Sequence, residues 1–189
     1  MRFTIASVFT LLALKCLLLG AVAQAEDYTE VNWVELIPAE ELEILMNPPE
    51  ILYEIEDGSL ADQLFSALDG AYSQDQEEDP YFAALNSANI VEKHVGRNIK
   101  LPGFVVPTSF NEQQQVTTFF LVPYFGACIH NPPPPPNQTL FIEAKTPFAF
   151  DDLMLPVWVY GTLESKVIED ELATSAYFMR LDKYDIYEL

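Results

Sequence analysis

The chain has 189 residues, with 29 Asp and Glu against 9 Lys and Arg, for a formal net charge of −20. That excess of acid excludes a nucleic-acid binder, which needs cations to displace counterions from phosphates. It also excludes docking on anionic lipid by charge alone. Half of the residues are hydrophobic and 13% are aromatic, a composition that folds rather than one that stays disordered.

Residues 1–25 read as a Sec-type signal peptide. Arg2 gives the positive start, an apolar stretch follows, and Ala23-Gln24-Ala25 is a small-x-small cleavage site. Lys15 splits the apolar run into pieces well short of the roughly 20 residues that a membrane span needs. Ala13-Leu14-Lys15 before Cys16 is a poor lipobox, so Cys16 leaves with the leader. The expected product is a periplasmic protein that begins at Glu26 and has one cysteine, Cys128. It then has no internal disulfide, and an unpaired cysteine in an oxidising compartment is buried, metal-bound or reactive.

The remaining chain reads as one domain in two parts. Residues 26–92 hold 18 acids and no Lys or Arg, whereas residues 93–189 hold 11 acids and 7 bases. The front part cannot pair its acids internally and must face solvent, cations or a basic partner. Short helices are predicted over 38–45, where Pro38 and early acids precede Leu42 and Leu45, and over 59–68, where Leu60, Leu64 and Leu68 recur. A third is predicted from Pro80 to about Ser87, capped by Asp79. From Ile90 onward the pattern turns to strand. Residues 96–107 read as strand, tight turn and strand around Pro102-Gly103, and residues 108–115 as a hairpin loop. Residues 116–122 (VTTFFLV) form the strongest strand, and 139–144, 156–163 and 175–182 are further ones. Tyr177, Met179 and Leu181 share a face of the last. Five or six short strands without helical crossovers predict a mainly β fold with N-terminal helices: a small antiparallel, OB-like barrel, closed or partly open, with the helices across one end or face. Trp158 is expected in the barrel core and Trp33 as the anchor of the front part. Arg97 and Lys100 are expected to pair with front-part acids. Gly103 and Gly161 should permit tight turns or close strand crossings.

Residues 119–138 read FFLVPYFGACIHNPPPPPNQ. Pro132 to Pro136 form a polyproline II rod that spans on the order of 15 Å and donates no backbone hydrogen bonds. Flanked by strands, it is expected to be an embedded strut packed near Tyr124, Phe125 or Trp158, with Asn137-Gln138 ending it. Together with PGFVVP at 102–107 and PVWVYG at 156–161, this segment resembles the DUF3299 family of uncharacterised secreted bacterial proteins. The resemblance covers about residues 30–189. It implies association with an ABC permease of the lipoprotein or macrolide-exporter type, in some cases within zinc-responsive operons.

Cys128 and His130 are the candidate chemical pair. A structural reading buries Cys128 as a small hydrophobe and bonds His130 to backbone. A metal reading binds zinc or copper through Cys128 and His130, with His94 as the other imidazole and a carboxylate to complete the set. A thiol reading lowers the Cys128 pKa beside His130, although no second cysteine or C-x-x-C supports a redox cycle. A fourth reading places a ligand pocket beside the loop, drawing on Cys128, His130, Tyr124, Trp158 and Asn137. No Ser-His-Asp signature, metalloprotease helix or phosphate loop is present. The expected role is a non-enzymatic periplasmic accessory or binding protein of an ABC-type export or metal-homeostasis system, whose partner is the periplasmic part of the permease or another envelope protein. A zinc- or copper-binding protein and a thiol-dependent enzyme are the alternatives. No cofactor follows from the residues, and zinc is the candidate metal.

Overall fold

A computed structural model describes residues 27–49, 79–126, 134–150 and 152–187. The leader and the helix predicted over 59–68 lie outside them. The elements are β1 (Thr29–Glu30), α1 (Ala39–Leu45), α2 (Pro80–Leu85), β2 (Asn98–Phe110), β3 (Val116–Val122), β4 (Leu140–Phe148), β5 (Val157–Glu169) and β6 (Thr174–Ile186). Three short 3-10 turns, Trp33–Leu36, Glu92–His94 and Pro136–Gln138, complete the set.

Alternation builds the barrel. Ile99, Leu101 and Val105 of β2, Phe119 and Leu121 of β3, and Leu140 and Ile142 of β4 are buried. They meet Val157, Val159 and Leu163 of β5 and Tyr177, Met179 and Leu181 of β6 in one core. The strand order is β2-β3-β4-β6-β5, and β5 returns to pair with β2, which closes the sheet. Four of these five pairings are antiparallel, and β4–β6 is parallel. Closure removes the exposed edges that an open sheet of this size would present. A smaller apolar cluster, Phe120 and Val122 with Phe104, Val106, Phe141 and Ala173, covers the opposite face of β3 and its neighbours.

Gly103 is where β2 changes partner. Gly103 itself opposes Val157 of β5, and the next residue, Phe104, opposes Val122 of β3. A Cβ at Gly103 would lie 2.7 Å from both the Leu121 side chain and the Val122 carbonyl. The tight turn expected at Pro102-Gly103 is therefore a bend within one 13-residue strand. A barrel corner uses the same glycine chemistry as a turn. The hairpin is also shorter than expected, because β2 runs to Phe110 and the loop is Asn111 to Gln115. Gly161 sits at a second irregularity, where the β5–β6 register shifts between Tyr160 and Gly161 and Asp182 is skipped.

The front part closes one end of the barrel. β1 pairs in parallel with β2, and the Val31 amide donates to the Lys100 carbonyl at 3.0 Å. Val31 and Leu36 are fully buried in the barrel core, with Trp33 packed against it. The Trp33 indole donates to the Pro102 carbonyl at 2.6 Å, which makes it the expected anchor. The Lys100 ammonium lies 2.9 Å from Glu30, as expected, whereas Arg97 makes no ion pair among the described residues. α1 and α2 pack on each other. Asp79 caps α2 by accepting from the Tyr81 amide at 2.8 Å, with Pro80 in the first turn. Among the described residues, no helix is long and apolar enough to cross a membrane.

Candidate functional site

The β3–β4 loop leaves the barrel at Val122 and returns at Leu140. On its outgoing side Tyr124 and Phe125 are 45% and 51% exposed. The Phe125 ring packs edge-on against Phe104 at 6.0 Å, and Gly126 takes a φ of +79° that a side chain would disfavour. Cys128, His130, Pro132 and Pro133 lie outside the described residues.

On its returning side the loop is anchored by buried amides. Pro135 is buried and runs into the Pro136–Gln138 turn, where the Gln138 amide donates to the Pro135 carbonyl at 2.7 Å. This turn packs against β6 and the Trp33–Leu36 turn. Asn137 is fully buried, and its Nδ2 donates to Glu41 Oε2 and to the Asn89 carbonyl, both at 3.0 Å. Gln138 Nε2 donates to the Trp33 carbonyl at 2.8 Å. Glu41 Oε1 in turn accepts from Ser87 Oγ at 2.7 Å and from Asn89 Nδ2 at 2.5 Å. Two buried amides thus tie the loop to the front part, to α1 and to the segment that follows α2. Burial of an amide is favourable only when its donors and acceptors are matched, so this arrangement fixes one geometry. Asn137 Oδ1 has no hydrogen-bond partner among the described residues.

Tyr177 ties the same two segments to the barrel from inside. Its hydroxyl donates to the Leu36 carbonyl at 2.9 Å and accepts from the Val91 amide at 2.8 Å. Burial raises its phenol pKa above the ordinary value, which keeps the donor proton in place. Ser175 Oγ lies 2.5 Å from the Thr139 carbonyl and accepts from the Phe141 amide at 3.1 Å, securing the strand that leaves the loop.

The other sequence candidates are dispersed. His94 is buried in the Glu92–His94 turn, and its Nε2 is 3.5 Å from Glu35 without hydrogen-bond geometry. Desolvation holds the imidazole pKa below its ordinary value, with Lys93 and Arg97 acting in the same direction and Glu35 opposing them. Trp158 is not in the core. Val157 and Val159 point inward, so Trp158 lies on the outer face of β5, beneath the Lys100 ammonium at 4.4 Å and against Tyr187 at 5.1 Å. Strict alternation in PVWVYG decides this, and the size of the indole does not. Tyr124 and Asn137 stand on the outgoing and returning sides of the β3–β4 loop, and Trp158 lies on β5. Among the described residues, no group of three or more His, Cys, Asp or Glu is gathered as a ligand set.

Sequence reasoning missed Glu41 and Asn89, and it placed Tyr177 on a strand face without giving its hydroxyl a role. The signal for Tyr177 was present, because a phenol on an otherwise apolar strand face needs a partner for its hydroxyl. Nothing local marks Glu41, one of several acids in a short helix.

The class defined here is a closed five-stranded, OB-like barrel with a front segment over one end and a β3–β4 loop anchored by buried amides. The chain belongs to the DUF3299 family, whose model, described as a protein of unknown function, matches residues 33–186. It is similar to a solved structure of a DUF3299 family protein from Pseudomonas aeruginosa PAO1, with 35% identity and a TM-score of 0.62 over 86% of this chain and 98% of that one. No curated protein matches.

Proposed function

We propose that the chain is a non-enzymatic accessory or binding protein of the periplasm, exported by its leader and released after Ala25. In this reading it presents the 124–138 loop to the periplasmic part of an ABC-type permease or another envelope protein. The observation that supports this most is the contrast across the loop. Asn137 and Gln138 are buried and hydrogen-bonded at its base, whereas Tyr124 and Phe125 stand half exposed at its start. A fixed base lowers the ordering cost of binding, and exposed aromatics are the side chains that most often carry interface energy.

The test is capture of the permease's purified periplasmic domain by the full secreted chain. The reading expects a complex that weakens about tenfold or more in Tyr124→Ala/Phe125→Ala, in line with hot-spot losses. The same variant should keep a near-native melting temperature. Absence of a complex with the permease domain or with any other envelope protein, or binding that is unchanged in the double variant, would contradict it.

A further inference from the structure

The barrel end opposite that loop carries a second surface, independent of the reading above. β3 and β4 run between the two ends, so the turn after Phe148 lies far from the 124–138 loop. In that turn Leu153, Met154 and Leu155 are 44%, 68% and 42% exposed. The backbone holds them in place: Asp152 Oδ1 accepts from the Met154 amide at 3.0 Å, and the Leu155 amide donates to the Asp152 carbonyl at 3.3 Å. This is an Asx-type turn that displays three consecutive apolar side chains. Nearby, Phe148, Phe150 and Tyr184 form an aromatic base, with rings 4.7 to 6.1 Å apart, that is continuous with the core.

Two further exposed apolar residues lie at the ends of β2 and β6. Phe110 at the end of β2 opposes Val116, which opposes Phe148, and Ile186 at the end of β6 opposes Val157. Both Phe110 and Ile186 are about half exposed. Three consecutive exposed apolar side chains mark an interaction site more often than scattered single residues do.

Charge selects the partner. Glu112 and Asp152 border this surface and make no ion pair among the described residues. The nearby lysines are engaged, Lys145 with Asp182, and Lys183 with Asp185 at 3.7 Å and over the Tyr160 ring at 4.2 Å. The rim is therefore acidic, on a chain of net charge −20. We propose that Leu153, Met154 and Leu155 form a knuckle that docks into an apolar pocket of a protein partner whose rim carries Lys or Arg. A second copy would set acid against acid, and an anionic bilayer would be repelled.

The experiment places a photo-crosslinking benzoylphenylalanine at position 154 of the full exported chain in its native host, with Glu40 as the control position. Support consists of an adduct at 154 and not at 40, mapped to an apolar partner peptide flanked by Lys or Arg. The purified complex must then weaken about tenfold or more in Leu153→Ser/Met154→Ser/Leu155→Ser and weaken as salt is raised. The triple variant should keep its melting temperature, since all three side chains are exposed. An adduct to a second copy, a partner site without basic flanks, no adduct, or binding of the chain to phosphatidylethanolamine–phosphatidylglycerol vesicles that the triple variant loses would each overturn the proposal.

Discussion

Gln138 Nε2 donates to the carbonyl of Trp33 at 2.8 Å, joining the residue that ends the proline tract to the residue that anchors the front part. Trp33 in turn donates to the Pro102 carbonyl on β2, so loop, front part and barrel are linked in series. Gln138→Leu keeps much of the volume and removes the donor, leaving the Trp33 carbonyl without it. An unsatisfied buried acceptor costs about 1–3 kcal/mol. For a chain of this size the expected loss is roughly 2–10 °C in melting temperature, read by circular dichroism. An unchanged value would show that this bond does not contribute to stability.

Tyr177 makes the second tie. Tyr177→Phe leaves the Val91 amide and the Leu36 carbonyl without their shared hydroxyl. The expected cost is about 2–4 kcal/mol, more than for a single lost bond. Chemical denaturation should show the midpoint fall with an unchanged slope. A fall smaller than that of Gln138→Leu would contradict the two-bond geometry.

Two glycines should respond differently to alanine. At Gly161 a Cβ would meet the Arg180 carbonyl at 2.5 Å and the Met179 side chain at 2.6 Å, so Gly161→Ala must move backbone. A loss of about 3 kcal/mol or more is expected. At Gly96 nothing lies within 4 Å, and only its φ of +76° opposes a side chain, so Gly96→Ala should cost about 1 kcal/mol. Equal losses in a parallel melt would contradict the close crossing of β5 and β6.

His94 gives the fold a pH dependence of known sign. Its folded pKa is lowered, first by desolvation and then by Lys93, so the unfolded state binds more protons below the ordinary histidine value of 6.5. Stability is complete above that value and falls as pH drops below it, until the folded imidazole also protonates. Glu35, lowered chiefly by the Asn32 amide, adds a separate loss below the ordinary carboxylate value of 4.5. His94→Gln should flatten the first slope and leave the second. A wild-type melting temperature that stays level or rises from pH 7 to 5.5 would contradict this assignment.

Sequence patterning revealed the barrel because period-2 alternation marks β2 and the first half of β5, and β-branched and aromatic composition marks β3. VTTFFLV at 116–122 is β3 to the residue, and Asp79-Pro80 starts α2 as its capping chemistry predicts. Pro102-Gly103 misled because a corner inside a long strand and a turn between two strands use the same residues. Trp158 departs from its expected place in the core because it alternates with Val157 and Val159, both of which are buried. The site was less legible for a different reason. Its contacts join residues 96 and 105 positions apart, Glu41 to Asn137 and Trp33 to Gln138. No local spacing encodes such a meeting, so the buried amides could be named as the end of a rod but not as its anchor.

The central claim is that the loop base, the front part and the barrel unfold as one unit. Native-state hydrogen exchange tests it at two amides, Gln138, which donates to the Pro135 carbonyl, and Val91, which donates to the Tyr177 hydroxyl. Both are expected to exchange only with global unfolding, at the same free energy as the β3 and β6 core amides. Fast exchange at Gln138 and Val91 while β3 and β6 stay protected would contradict the account.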